Sequence, residues 1–368
     1  MNTVANRYSY TPDHAAPPGD LIMEYLEQLG ISARELARRC GRSGKLLAEI
    51  ISGKASVEPE TALQLERVLG VSASIWTNME AAYQLHQARE AEDEELCSFY
   101  DWAITFPLKE LAERNYIQRS NSKSKQVREL LEFFGAGSVK ACDDRFEELL
   151  AVDFRTSDSF QNNLPCLAAW LRIGELRAAQ IRTEEYEREA FVAALKKIRA
   201  LTVVPIEKAL PKIERECANA GVAFVLEKPL PKIRASGVSR WLSPRKALIQ
   251  QSLRHMSDDH FWFTFFHECA HLLLHSRKAV FIDMTKGPGT GDPKQEAEAN
   301  VWAADFLIPT ADMRKFIAGF AGSADEVRKF ATKCGIAPGI VVGQLQHSGV
   351  IGFGGPLNKL RTFYRWVD

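Results

Sequence analysis

The chain has 368 residues, of which 46% are apolar and 26% are charged, and its 47 basic residues balance its 47 acidic ones. A chain of this length and composition buries sizeable cores and is expected to hold two or three domains. The zero net charge excludes a long-range field that favours nucleic acid, so any DNA-binding surface has to be local.

The cysteine pattern and the hydropathy indicate a reducing compartment. The seven cysteines are odd in number and scattered, without a C-x-x-C pair, which excludes a disulfide framework and a cysteine zinc cluster. No segment has 18 continuous apolar residues, and the N-terminus lacks the apolar core of a signal peptide. We therefore expect a cytoplasmic protein that does not bind membranes.

The N-terminal quarter of the chain predicts a series of short helices. Residues 1–16 are expected to form a disordered arm, and an apolar stripe then predicts a first helix that ends at Gly30. Ser32 begins a second helix, with Glu35 three residues later as the partner of a capping box, and Gly41 ends it.

A third helix begins near Ser43 and ends at Ser52, and ETALQLERVLG then predicts a further amphipathic helix. Two short helices joined through a glycine turn predict a helix-turn-helix of the five-helix kind. Residues 34–54 carry six basic against two acidic residues, a local excess of four positive charges where a recognition helix meets phosphates. The alternative is a small helical bundle with a solvated charged face.

We predict two sets of contacts to a double-stranded DNA operator. The candidates for contacts in the groove belong to the third helix: Ser43, Lys45, Leu46 and Glu49. The candidates for contacts with the DNA backbone are basic: Arg38, Arg39, Arg42 and Lys54. Because a single module of this size binds weakly, we expect a homodimer on a two-fold operator.

Residues 19–84 resemble the XRE-type helix-turn-helix of HigA-like antitoxins. The resemblance is specific because it extends beyond the helix-turn-helix into PETALQLERVLG and the aromatic IWTNMEAAYQ. It implies a DNA-binding domain over residues 17–98 and a cognate toxin as a partner. One departure is Gly44 at the start of the recognition helix, which brings no side chain to the DNA.

The segment that follows is predicted to be helical. Residues 86–98 are charged throughout and indicate a solvated helical extension or linker. Residues 99–200 form a helical linker or sensor region, with a polar break at RSNSKSKQ. Four apolar residues are expected to pack a core there: Trp170, Leu171, Ile173 and Leu176. The alternative is a ligand-sensing pocket between the helices.

From Gly221 the pattern changes to strands. GVAFVLEK is rich in β-formers, and GVSRWLSPRKALIQQS alternates on either side of a turn, which predicts a hairpin. The edge strand of this small sheet is expected to hold an extended peptide by β-augmentation. Trp241 either lines that cleft or packs within the domain.

The stretch FWFTFFHECAHLLLH, residues 261–275, carries an H-E-x-x-H motif in the setting of a buried helix. His267 and His271 lie on one face about a turn apart and can present two imidazoles to one zinc ion. Glu268 projects about 100° further round the helix, where its carboxylate acts as a general base on water. Cys269 is expected to be a packed neighbour.

A catalytic zinc ion needs a third protein ligand. After the Gly/Pro-rich loop DMTKGPGTGDPK, which is expected to move, a helix carries Glu296 and Glu298. These two lie about 200° apart, so only one points at the metal, and we choose Glu296. Asn300, one turn later, is a second-shell candidate that fixes a histidine tautomer. His275 is a candidate fourth ligand or, preferably, a structural or second-shell residue.

The second half also resembles a known family. FHECAHLLLH, EAEANVWAADFLIP and KCGIAPGIVVGQLQHSGVI together are similar to the ImmA/IrrE metallopeptidases, over roughly residues 201–350. In that family the glutamate of E-x-x-A-N is understood to complete a gluzincin-type site, which supports Glu296. The resemblance implies a zinc peptidase domain over residues 201–368 that cleaves partner repressors or antitoxins.

We therefore expect a multidomain, mainly α protein with an all-α helix-turn-helix domain, a helical middle region and an α+β zincin-like domain. The hypothesis is an antitoxin-like regulator whose zinc endopeptidase cleaves a repressor, an antitoxin or its own chain in a stress, phage or toxin-antitoxin response. The alternative is a non-catalytic repressor whose zinc lobe is a sensor or a toxin-neutralising surface. Three polar residues near the C-terminus are candidates for stabilising an oxyanion: His347, Arg361 and Tyr364.

Overall fold

The computed structural model describes residues 15–150, 164–233, 235–277, 281–284 and 292–366. Most of the predicted N-terminal arm and residues 285–291 of the predicted loop lie outside these ranges. The chain forms two compact units, one reaching Tyr100 and including Ser122–Val127, the other comprising Asp101–Asn121 and the residues from Arg128 onward. Within the described ranges, every helix is too short or too polar to cross a membrane.

The first unit is a five-helix domain, as predicted. Its helices are α1 Pro18–Leu29, α2 Ala33–Cys40, α3 Gly44–Ile51, α4 Pro59–Leu69 and α5 Ala73–Ser98. Each short helix turns one apolar face inward, and Ile22, Leu36, Leu47 and Trp76 are fully buried in the shared core. The Trp76 indole donates to the Val71 carbonyl at 3.1 Å, which satisfies its polar atom.

The predicted helix ends are confirmed, with one correction. Gly30 and Gly41 end α1 and α2 in the left-handed conformation, and Ser32 Oγ accepts from the Glu35 amide at 3.2 Å. The capping box is only half formed because the Glu35 carboxylate turns away to accept from Arg38 and Arg39. Charge-assisted bonds to guanidinium groups are stronger than a bond to a neutral amide.

Helices α6 to α12 lie in the middle of the chain. They are α6 Tyr100–Ala103, α7 Leu108–Glu113, α8 Lys123–Phe134, α9 Val139–Leu150, α10 Leu164–Gln180, α11 Arg188–Arg199 and α12 Ile206–Ala218. The predicted polar break is wrong in its second half, because α8 begins inside it. Ser122 and Ser124 are suited to a helix start, and Ser122 Oγ accepts from the Lys125 amide. The charged segment 86–98 is confirmed as a helical extension of α5.

The second unit contains a four-stranded mixed sheet in the order β1-β3-β2-β4. Its strands are β1 Val222–Leu226, β2 Ala235–Ser243, β3 Lys246–Gln251 and β4 Phe281–Met284. The β2–β3 hairpin is confirmed, with Ser243 opposite Lys246, whereas β1 runs parallel to β3. Strand β4 was not predicted, and it pairs with β2. Strand β4 therefore forms one edge of the sheet and β1 the other.

Helices cover both faces of the sheet. On one face lies α13, Asp258–Leu274, whose side chains Phe265 and Phe266 are fully buried in the main core. On the other lies α10, where the Gln250 amide of β3 donates to the Trp170 carbonyl at 2.7 Å. Trp170, Leu171 and Ile173 are buried as predicted, and Leu176 is half-buried. This part of the 99–200 segment therefore packs as an outer layer of the sheet.

Four further helices follow α13 in the chain and contribute to the main core. They are α14 Pro293–Leu307, α15 Thr310–Gly319, α16 Ala324–Cys334 and α17 Pro338–His347. Helix α17 approaches the start of α13 so closely that a Cβ atom on Gly339 would overlap the Asp258 carboxylate. The C-terminal segment adds a strap, in which Arg361 Nε donates to Asp259 Oδ1 at 2.9 Å. The beginning of the motif helix is thus held from two sides.

We expect Gly221→Ala to destabilise the second unit far more than Gly349→Ala. Both glycines have positive φ, 80° and 73°, but a Cβ atom on Gly221 would overlap the Tyr186 backbone, whereas Gly349 has nothing within 4 Å. The control, Gly349→Ala, should lose about 1 kcal/mol of unfolding free energy from backbone strain. Gly221→Ala should lose roughly a further 1–3 kcal/mol from overpacking. Urea unfolding followed by circular dichroism measures both, and equal losses would refute the overlap.

Candidate metal centre and DNA-binding surface

Helices α13 and α14 bring three donor groups together. His267 and His271 are buried on one face of α13, and Glu296 reaches them from the first turn of α14. The Nε2 atoms of the histidines are 2.9 Å apart, and the Glu296 oxygens lie 3.3 Å from His267 Nε2 and 3.4 Å from His271 Nε2. These donor atoms form a group within 4.8 Å of one another. The Glu296 side chain keeps 20% of its surface exposed, so solvent reaches the group from the α14 side.

The donor set suits zinc. Ligands held at about 2.0–2.1 Å around tetrahedral zinc lie about 3.3 Å apart, and two of the three measured separations match this value while the third is shorter. Burial, together with the neighbouring imidazoles of His267 and His275, lowers the pKa of His271 to about 2. His271 is therefore neutral, and a neutral imidazole is the form that binds a metal.

A second set of contacts orients His271. Its Nδ1 lies 2.9 Å from His275 Nδ1, and His275 Nε2 lies 3.3 Å from Glu298 Oε2. The Phe281 ring of β4 stacks on His271 with ring centroids 4.1 Å apart. A hydrogen bond to the far nitrogen is how proteins direct the other nitrogen of a histidine toward a metal.

These contacts separate the candidates. Glu296 faces the two histidines, whereas Glu298 points away and meets His275, as expected for residues about 200° apart. His275 contacts His271 through its Nδ1, and Asn300 lies in the wall of a neighbouring cavity. The ligand and second-shell roles of these residues stay predictions.

Glu268 lies fully buried between α13 and the sheet. A Cβ atom on Gly237 of β2 would stand 2.5 Å from Glu268 Oε1 and 2.8 Å from Thr264 Cγ2. Strand β2 therefore leaves the space of one side chain for this carboxylate. Cys269, on the same helix, is packed in the core as expected, and burial raises the pKa of its thiol well above the ordinary range.

The sequence reasoning missed Gly237 and Phe281. An isolated glycine inside a strand pattern signals a close approach, so Gly237 could have been found. Phe281 belongs to the short run AVFIDM, which contains the β-formers valine, phenylalanine and isoleucine, so this strand could also have been found. Trp241 packs: its ring meets Tyr186 at 4.6 Å, and the Arg277 guanidinium lies 4.3 Å above it.

The oxyanion candidates are spread over the C-terminal region. Arg361 is bound to Asp259 and also donates to Ser257 Oγ at 2.7 Å. Tyr364 packs edge-on against Phe261, and His347 lies in the wall of the cavity beside Asn300. Arg361 and Tyr364 thus have structural contacts at the start of α13.

The residues predicted to contact the DNA backbone differ in how exposed and how free of internal partners their side chains are. Arg38 and Arg39 are exposed but bind Glu35. The hydrogen bonds from these two guanidinium groups lower the pKa of the Glu35 carboxyl to about 2, and the bond from Arg38 has the larger effect. Arg42 is held against α4 by Gln64 at 2.7 Å and Glu60 at 3.2 Å. The exposed Lys54 follows α3.

The predicted groove contacts also divide. Ser43 Oγ caps α3 by accepting from the Leu46 amide at 3.1 Å, and the Leu46 side chain packs on the core. Lys45 is highly exposed and lies 3.7 Å from Glu49, an exposed pair of little stabilising value. Lys45 and Glu49 are therefore the predicted groove residues whose side chains point into solvent.

Two family models match the chain. The helix-turn-helix model covers residues 22–76, which holds α1 to α4 and the start of α5. The IrrE N-terminal-like domain of the M78 peptidases covers residues 225–342, which includes the end of β1, strands β2 to β4, the α13–α14 donor group and part of α17.

Similar proteins match about a fifth of the chain. The HTH-type transcriptional regulator YddM of Escherichia coli strain K12 is 37% identical over 76 residues, 21% of this chain and 81% of that protein. Virulence-associated protein I of Dichelobacter nodosus is 36% identical over 77 residues, 21% of this chain and 71% of its own length. A solved HigA-family antidote protein from Coxiella burnetii is 26% identical, with 23% of this chain and 91% of that chain covered and a TM-score of 0.22. The chain therefore belongs to the XRE-type helix-turn-helix regulators through its N-terminal domain and carries an IrrE/ImmA-like peptidase domain in its C-terminal part.

Proposed function

We propose that this regulator is a zinc-dependent endopeptidase that binds its operator as a homodimer and cleaves a regulatory protein. The observation that carries the proposal is the convergence of the donor atoms of His267, His271 and Glu296 beside a buried Glu268. This group lies within the IrrE-like domain. The substrate is a repressor, an antitoxin or the chain itself.

In this proposal His267, His271 and Glu296 hold the zinc ion. Zinc bound there acts as a Lewis acid that polarises a peptide carbonyl and acidifies water. His275 and Glu298 keep the His271 ring in its orientation through the Nδ1 contact of 2.9 Å. Because the donor groups sit on two packed helices, little reorganisation is needed when they bind the ion.

Glu268 moves the protons. Its carboxylate accepts a proton from water as the water oxygen forms a bond to the carbonyl carbon. The C–N bond then breaks, and Glu268 returns that proton to the leaving amine, so it ends the reaction ionised. Gly237 keeps room for the carboxylate on β2, which places the proton acceptor at a constant position.

The first unit brings the peptidase to DNA. Its similarity to HTH-type regulators supports operator binding, and a homodimer follows from the weak binding of one module. Proteolysis of a repressor or antitoxin would then relieve repression in a stress, phage or toxin-antitoxin response.

A second candidate is an antitoxin-type repressor in which the zinc lobe is a sensor or binds a toxin without turnover. The relatives reported above favour it to the extent that their similarity covers only 21% of this chain. The two candidates differ in one respect: only the first requires Glu268.

We expect Glu296→Ala to lose zinc and Glu298→Ala to retain it. The first variant removes one of three ligands, which should weaken zinc binding by about 100-fold or more. The second removes only an exposed contact to His275, which should weaken zinc binding by about tenfold or less. Competition with a chromogenic chelator measures both affinities. Full zinc affinity in Glu296→Ala would mean that the wrong glutamate was chosen.

We expect Glu268→Gln to abolish proteolysis while zinc remains bound, because the amide cannot accept the water proton. Products of adjacent genes and the chain itself serve as substrates, and cleavage is followed by mass spectrometry. Equal cleavage by wild type and Glu268→Gln would favour the second candidate.

Gly237→Ala should slow cleavage by about 10–100-fold, because a displaced general base loses most of its effect. Gly319→Ala, at a site with nothing within 4 Å of an added Cβ atom, is the control.

We expect Lys45→Ala to weaken DNA binding and to flatten its salt dependence. Loss of one phosphate contact should reduce the slope of log K against log salt by about 0.9. Arg67→Ala, which removes an exposed cation from α4, is the matched control. Fluorescence anisotropy with the upstream region of the gene measures both slopes, and an unchanged slope in Lys45→Ala would remove this residue from the interface.

A further inference from the structure

A cavity of about 560 Å³ lies within the second unit, between α13, α14, α15 and α17. This volume is typical of sites that bind a small molecule or a large side chain. The proposed function assigns no role to it.

The cavity begins one helical turn from the donor group on both helices. Phe263, one helical turn before His267, forms part of its wall, and Asn300, one turn after Glu296, forms another part. One turn of helix is about 5.4 Å long. The ring centroids of Phe263 and His267 are 6.2 Å apart, so the wall of the cavity that Phe263 forms adjoins the histidine.

The walls of the cavity are mainly apolar. The large apolar residues that line it are Phe263, Val301, Leu307, Ile308, Met313 and Ile340. Val301 has 68% of its surface exposed, which is unusual for an aliphatic side chain and places it at the mouth. His347 adds a flat face, since its ring stacks on Phe263 at 6.1 Å with an interplanar angle of 16°.

The charges of the cavity disfavour a basic occupant. Asp259 lies in the wall but is bound to Arg361, with a shortest N–O distance of 2.7 Å. Arg314 brings a positive charge to the lining. Gln344 is also engaged, since its amide donates to the Ala304 carbonyl at 3.0 Å. An uncharged apolar group therefore fits better than a lysine or arginine side chain.

We propose that this cavity is the specificity pocket of the peptidase and receives a large apolar side chain, of leucine or phenylalanine type, from the residue next to the scissile bond. The proposal rests on the proposed function, since it needs a peptide at the donor group. It adds a substrate class: regulatory proteins that present an apolar residue at the cleaved bond.

The test uses the zinc-loaded full chain and a series of chelating probes, HONH–CO–CH2–CHR–CO–NH–CH3. R is hydrogen, isobutyl, benzyl or aminobutyl, and calorimetry measures each affinity. Full burial of four carbon atoms corresponds to about a hundredfold in affinity, so we expect the isobutyl and benzyl probes to bind at least about tenfold more tightly than the hydrogen probe. The aminobutyl probe should gain nothing.

Two variants locate the effect. Ala304→Phe fills the cavity and should remove the preference for isobutyl and benzyl, while Ala297→Phe, on the same helix but exposed and outside the lining, should keep it. Val301→Asp changes an exposed residue at the mouth, which leaves folding intact, and should weaken the apolar probes but not the hydrogen probe. Metal analysis verifies that zinc is bound in each.

The outcomes separate the two proposals. Equal affinity for every R, or a preference that Ala304→Phe and Val301→Asp leave unchanged, would overturn the specificity pocket and leave the peptidase intact. Failure of every probe to bind the zinc-loaded chain would overturn the proposed function and the pocket with it.

Discussion

The second half of the molecule depends on two imidazoles buried against one carboxylate. The Nε2 atoms of His267 and His271 lie 2.9 Å apart, and burial holds the pKa of His271 far below its ordinary value. Two nitrogen lone pairs and a negative charge at such distances repel one another unless a cation lies among them. The surrounding fold keeps them in place, which is the expected design of a site that binds a metal.

The support for this group comes from close backbone approaches. Glycines on β2 and α17 let the sheet and a neighbouring helix come within a side chain's width of α13, and the Arg361–Asp259 pair holds its first turn. Dense packing of this kind transmits displacement, so a small shift of α13 would move Glu268 and both histidines together. In the proposed mechanism such rigidity is useful, because general-base catalysis depends on distance.

The first unit uses much of its local charge internally. Arg38 and Arg39 share the Glu35 carboxylate, and Arg42 joins α4 through Gln64 and Glu60. The local excess of positive charge therefore overstates the free cations at the surface, although exposed ion pairs are weak and exchange readily with phosphates. A regulator of this kind would rely on a second copy for affinity, which agrees with the proposed homodimer.

The sequence alone determined the helix-turn-helix, the β2–β3 hairpin and the H-E-x-x-H helix, because helix period, caps and turns are local properties. Tertiary structure decided what depends on distant residues. Strand β4 forms by pairing with β2. The Glu35 carboxylate accepts hydrogen bonds from two guanidinium groups instead of completing a capping box. The cavity beside Phe263 arises only where four helices meet. The residue pattern of one segment does not specify which surface of another segment it will pack against, so the packing, the strand order and the cavities could be read only from the folded chain.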